Sequence, residues 1–412
     1  MKKTILLLAL ILPVCSLVAQ PPVSSLPIDG LNESLVLQGG SENDAIVAQT
    51  GIDNYSFILA ANGGNIDVVN QEGATNYSFM MQNHGNEATV IQRSSKYKYG
   101  NVNLSWIEQS GSDNDAFVVQ EHNGDDPPPA TLVALEAYID QSGDGNSAIQ
   151  LQGPDPDDEL GGLWAKTVQS GSNNTGFQQQ QKHDNEALII QTGSGNGAVQ
   201  VQDVKVSSGA SFNDAFIWQD GDNNLTATQI QNGEENKAAA IVFGDGNSST
   251  QIQGTQDGSS VSDFGVALVV QTGNDNDAVQ VQEGAWNIAG NLQSGSGNTA
   301  YQDQKGVFNL AGIVQDGNTG TAVQVQSNTG SVGYPPNVGV IFQTGGAGND
   351  ATQVQSVVGD GSVFPNLAGA MQNGDNNYSY QQQSGGYNVS GVVQGGNDNS
   401  AVVVQTTVFP IL

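Results

Sequence analysis

Asparagine and glutamine recur six residues apart along nearly the whole chain, in units of the form Asn-x-Ala-x-x-x-Gln joined by about four turn residues. NGAVQVQ (196–202), NDAVQVQ (276–282) and NLAGIVQ (309–315) show the pattern plainly. With each span numbered 0 to 6, Asn holds position 0 in 26 of 30 copies and Gln holds position 6 in 27 of 30. The exceptions at position 6 are Ala60, Ile230 and Val242, and position 2 is Ala, Ser, Gly or Thr everywhere except Asp67. A strict period of about eleven residues predicts a solenoid, in which each repeat buries its face only against its neighbours.

Each span alternates with period two, so positions 0, 2, 4 and 6 of a short strand share one face. Position 4 reveals a longer period. It is mostly apolar in one set of spans (Ile107, Ile139, Ile189, Ile217, Ile313, Ile341). In the alternate set it is often Gln (Gln150, Gln178, Gln200, Gln251, Gln280, Gln302, Gln324, Gln353, Gln381). The repeat is therefore a strand–arc–strand pair of about 22 residues, fifteen times from Asn32 to Gln405. The expected fold is all-β: a β-solenoid of about 15 rungs, about 70 Å long, forming two parallel cross-β sheets. Position 4 of one strand should face the small position 2 of the other, which fills a thin core without voids.

Fixed amides on an inward face call for a physical reason. Stacked at about 4.8 Å, each amide donates to one neighbour and accepts from the other, whereas carboxylates at that spacing repel and aliphatics leave the register free. The structural ladders are expected at Asn146, Gln152, Asn174, Gln180, Asn185, Gln191, Asn196, Gln202, Asn213 and Gln219. They should continue at Asn276, Gln282, Asn287, Gln293, Asn298, Gln304, Asn309 and Gln315. The arcs carry glycines suited to positive φ at Gly143, Gly171, Gly193, Gly221, Gly273, Gly295 and Gly306. Connections within a pair stay short, while seven between pairs swell to ten residues or more, after Gln92, Gln120, Gln152, Gln202, Gln253, Gln326 and Gln355. One edge of the solenoid is thus expected to be smooth and the other to carry loops.

Residues 1–19 read as a Sec signal peptide, with Lys2 and Lys3, an apolar run and small residues before Gln20. Residues 20–31 form a short leader, 32–405 the solenoid and 406–412 a tail. Val408, Phe409 and Ile411 of that tail could fold over the last rung. Cys15 is the chain's only cysteine, so after cleavage no disulfide or zinc–thiolate site is expected. No later run is long and apolar enough to span a membrane as a helix, so membrane insertion is not expected. The formal charge of −31 becomes −33 once Lys2 and Lys3 are removed, leaving 8 basic against 41 acidic residues. Arg93 is the single arginine, which argues against nucleic acid as a partner.

These residues resemble the curlin repeat of curli fimbriae subunits: Asn-x5-Gln, the linking Gln-x4-Asn, the arc glycine and the small residue after Asn. The resemblance covers 32–405, with more copies than is usual and Asn where that family often opens on Ser. It implies a secreted structural protein that self-assembles into extracellular amyloid fibres of a biofilm matrix, of major or nucleator type. The implied partners are further copies of itself, other curlin subunits and an outer-membrane curli-type secretion pore.

Other classes fit less well. Catalysis is not expected, because His84, His122 and His183 fall in turns or loops and no acid–base group converges on a few rungs. Neither a cofactor nor a metal is expected, since the aspartates of turns such as GSDNDA (111–116) suit tight turns without any ion. The alternative reading is a monomeric or cell-surface adhesin that binds through its loop-bearing edge.

Overall fold

A computed structural model describes residues 32–94, 101–121, 133–153, 162–181, 184–202, 212–254, 262–328, 336–357 and 365–407. The expected signal peptide and leader (residues 1–31), His122 and His183, most of each of the seven long connections, and the tail beyond Thr407 lie outside these residues.

The chain is an all-β solenoid. Two parallel sheets, of 15 and 16 strands, hold alternate strands of the sequence, so each rung is one strand of the first sheet followed by one of the second. The first rung is β1 (Glu33–Gln38) and β2 (Asp44–Ile52), and the last is β30 (Val389–Gly395) and β31 (Ser400–Thr406). Among the described residues, only the two-residue β19 (Ser262–Asp263) stands beyond this alternation, pairing at the edge with β21 (Asp277–Ala285). The spans lie in register from rung to rung, as in Ala187↔Ala215 and Gln191↔Gln219, or Ala278↔Ala300 and Gln282↔Gln304, with one shift in the arc between Asp316 and Asn318.

The core is a thin layer between the sheets. Ile58, Met80, Ile107, Ile139 and Ile189, all at position 4 of the first sheet, are at most 1% exposed. Position 2 lies opposite positions 4 and 6 of the other sheet. A methyl group placed on Gly176 would meet the Thr167 methyl at 3.1 Å and Gln169 Nε2 at 3.3 Å. Small residues at position 2 are thus what lets the long amides and isoleucines reach across.

The span that opens on Asn224 carries an extra residue. Ala227 pairs with Ala198 and Gln231 with Gln202, so Gln231 occupies position 6, and Ile230, assigned there from sequence, sits one place earlier. The strand accepts a bulge at Leu225, which is 63% exposed, because a one-residue slip would turn every buried amide outward. Val242 and Ala60 do occupy position 6, opposite Gln219 and Gln82 respectively.

Candidate functional site: the stacked amides and the end rungs

In the second sheet the position-6 glutamines form one unbroken chain from Gln49 to Gln405. Each Nε2 donates to Oε1 of the next rung, through Gln152, Gln180 and Gln202 to Gln231, and on through Gln282 and Gln304 to Gln383 and Gln405. The second amide proton crosses the core to a carbonyl of the facing sheet, for example Gln180 to Trp164 at 2.9 Å and Gln282 to Val266 at 2.9 Å. One side chain therefore bonds along the stack and also ties the two sheets together.

The position-4 glutamines make a second chain from Gln150 to Gln381, which includes Gln229. Gln229 and Gln231 were missed from sequence because the bulge at Leu225 shifts them by one place. In the first sheet the position-6 column runs in two pieces, from Gln82 through Gln191 to Gln219 and from Gln271 through Gln293 and Gln315 to Gln394. Ala60 and Val242 interrupt it.

The asparagines pin the arcs. In the second-sheet column, Asn146, Asn174, Asn196 and Asn224 each accept at Oδ1 from the backbone N–H of the next Asn, and Asn276 does so from Asn298. Nδ2 of Asn146, Asn174 and Asn196 closes the arc four residues back and reaches the glycine carbonyl of the next arc, as Asn174 does to Ser170 at 3.4 Å and Gly193 at 2.9 Å. In the first-sheet column Asn185 accepts from Asn213 and Asn287 from Asn309. The arc glycines all have positive φ, between 91° at Gly306 and 139° at Gly221 for the seven singled out from sequence. They also touch backbone to backbone, since a Cβ on Gly143 or Gly171 would lie 2.0 Å from the next glycine's carbonyl oxygen.

Orphaned acceptors mark where the columns break. Buried Oε1 atoms of Gln150 and Gln271 lack a partner, and the residues one rung before them, which should donate, are Val118 and Val242. Asn103 Oδ1 is likewise unpartnered, and the next rung places Leu135 over it. Leu135 and Leu163 stack on each other, and a matched apolar pair leaves nothing unsatisfied between the two.

Asp67 and Ala60 depart from the repeat in the same rung. Asp67 is fully buried, and its Oδ1 lies 2.8 Å from the amide of Gln82, the first glutamine after the gap at Ala60. Burial pushes its pKa up to about 7. A protonated Asp67 donates to Gln82 Oε1 and leaves Gln82 Nε2 bonded to Gln109 Oε1 at 2.6 Å. An ionised Asp67 requires the amide turned over, which sets two oxygens 2.6 Å apart. The turned amide also accepts from the Ala88 N–H at 3.1 Å, so the proton on Asp67 and the orientation of Gln82 are coupled.

The end rungs differ from the interior. Val36, at position 4 of β1, is 38% exposed where Ile58 above it is fully buried. Among the described residues, β1 and β2 pair only upward, and β30 and β31 only downward. The columns have opposite directions: glutamines donate toward the C-terminal end and asparagines toward the N-terminal end. At the top, among the described residues, Gln405 Nε2 meets no further glutamine and Asn399 Oδ1 accepts no hydrogen bond. At the bottom, Gln49 Oε1 is the waiting acceptor. Thr407 Oγ1 donates to Asn388 Oδ1 at 2.8 Å, covering one of the exposed acceptors.

Among the described residues no group of His, Cys, Asp or Glu is arranged to hold a metal ion, and no helix is long and apolar enough to cross a membrane. No protein-family model and no curated protein matches the chain.

Proposed function

We propose that this chain is a secreted structural protein that polymerises head to tail, by stacking the first rung of one copy on the last rung of another. The observation that carries this reading is the match between the two ends. A second copy set on the C-terminal end in the same orientation would bring Gln49 Oε1 to Gln405 Nε2 and the Asn43 donors to Asn399 Oδ1. An inverted copy would oppose donors with donors. A heterologous contact of this kind does not close on itself, so it generates a filament. Edge strands at both ends, paired on one side only among the described residues, and the part-exposed Val36 of the first rung supply the driving force.

In this reading the signal peptide directs export, and the product is an extracellular, curli-like amyloid fibre of a biofilm matrix. Other curlin-type subunits and an outer-membrane pore are its partners. The opposing force is a charge of −31 on the whole chain, which salt screens.

The test is polymerisation of the purified chain lacking residues 1–19 at near-neutral pH. Fibres giving a 4.7–4.8 Å meridional reflection, formed faster as salt is added, are expected. A chain that stays monomeric for days at high concentration and moderate salt would instead favour an adhesin working through its loop-bearing edge.

A further inference from the structure

The outer face of the first sheet changes character two-thirds of the way along. From the first rung to the strand Lys237–Phe243 it carries Glu33, Glu108, Glu136, Asp140, Glu186 and Asp214 at outward positions. Over the last six rungs, from Val266 to Val393, it carries no charge. Every outward residue at positions 1 and 5 there is aliphatic, methionine or phenylalanine. Position 3 is glycine in four of the six rungs, at Gly290, Gly312, Gly369 and Gly391, so a shallow trough runs along the axis between two apolar ridges. A Cβ on Gly290, Gly369 or Gly391 would meet nothing within 4 Å.

These ridges are open. Ile288 is 46% exposed, Met371 48%, Val389 64% and Val393 80%. The ridge at position 1 continues into the adjoining arc, where Phe264, Trp286 and Phe308 stack with ring centroids 4.3 and 6.0 Å apart. The opposite face of the same rungs keeps carboxylates outward at Asp277, Asp303 and Asp350.

We propose that this face is a lateral docking surface for a second copy of the chain, packed sheet against sheet. Six rungs at about 4.8 Å, each about 20 Å wide, make a flat patch of roughly 570 Å². That is at the upper end of the largest apolar patch of a typical monomer, about 300–600 Å², a size that is often functional. Two such patches face to face bury roughly 1,100 Å², at the threshold of a specific interface. The occupant follows from charge and period. Two chains that both carry a large negative charge approach most readily where neither presents a carboxylate, and on the first sheet's outer face this is the longest such stretch. The partner must be flat and ridged at the same rung spacing, and a copy of this chain meets both conditions. The pairing is independent of end-to-end growth, because it uses outward positions that the amide columns do not touch.

The test is mass per unit length of fibres by scanning transmission electron microscopy. It compares the chain from Gln20 onward with the double variant Leu292→Glu, Phe342→Glu and with a control carrying Val281→Glu and Val325→Glu on the opposite face. The parent and the control should show twice the mass per length of a single solenoid, and the first variant half that value. Equal values for all three would overturn the proposal. If no fibres form, sedimentation of the same three proteins keeps the inference testable: dimer for parent and control, monomer for the face variant. A parent that sediments as a monomer but floats with zwitterionic lipid vesicles would assign the face to a membrane surface and refute the pairing.

Discussion

Val242→Gln restores the one amide missing from the middle of the first sheet's glutamine column. Gln271 Oε1 is buried without a partner, and Gln219 Nε2 has only a long 3.4 Å contact to the Leu225 carbonyl. The buried Oγ of Ser249, at position 2 of the facing strand, is also unpartnered, on the side where a glutamine at 242 would lie. A new amide there donates to Gln271, accepts from Gln219 and comes within reach of Ser249. Two net hydrogen bonds at about 1 kcal/mol each, with relief of a buried orphan worth about 1–3 kcal/mol, set the gain. Against this stand the lost valine burial, about 1.5–3 kcal/mol, and the cost of a longer side chain. The net expectation is a gain of about 1 kcal/mol over Val242→Met, which has the length without the amide. Urea unfolding of dilute monomer, with hydrogen exchange at residues 219, 242 and 271 as the local readout, measures it. Since repeat arrays need not unfold in one step, the local readout decides. Slower exchange in the glutamine variant than in the methionine variant is expected; equal or faster exchange would falsify the ladder argument.

Three further outcomes follow from the same geometry. Gly193→Ala should cost several kcal/mol or prevent folding, since φ is 101° and the added Cβ lies 2.1 Å from a carbonyl oxygen, whereas Gly290→Ala should change the urea midpoint little. Asn196→Leu with Asn276→Leu should destabilise more than Gln200→Leu with Gln280→Leu, because each Asn also pins an arc glycine carbonyl, Gly221 or Gly295, while position 4 holds valine at Val47, Val69, Val90 and Val118; equal urea midpoints would count against the arc role. Because the folded pKa of Asp67 is raised from 3.8 to about 7, the folded state binds the extra proton. Stability should therefore be greatest below about pH 4 and fall by about 4 kcal/mol as pH rises to about 7; Asp67→Asn should remove most of that slope, and an unchanged slope would show that Asp67 is not its source.

Much of this molecule was legible because the repeat is literal. Thirty strands, their pairing and the columns through Asn196 and Gln282 follow from a period of two nested in a period of eleven. What escaped was local. The extra residue beside Leu225 looked like an exception at Ile230, because a span of fixed length cannot reveal that the backbone bulges to keep Gln229 and Gln231 in their columns. Asp67 looked like a lone departure, since its link with Ala60 exists only across the core. The directions of the columns were invisible as well. Sequence places amides opposite one another but does not say which end donates, and the match between the two ends rests on that.

The measurement that reaches the central claim most directly is a register-specific cross-link between copies. In the proposed stack Ser400 of one chain pairs with Asp44 of the next, at a strand spacing of about 4.8 Å that suits a disulfide; within one chain the two lie at opposite ends of the solenoid. Fibres of the chain from Gln20 onward carrying Ser400→Cys and Asp44→Cys, oxidised gently, should give a covalent ladder of dimers, trimers and longer species on a denaturing gel. The pair Ser400→Cys and Thr175→Cys should give none. No ladder from the first pair, or equal ladders from both, would contradict head-to-tail stacking of the end rungs.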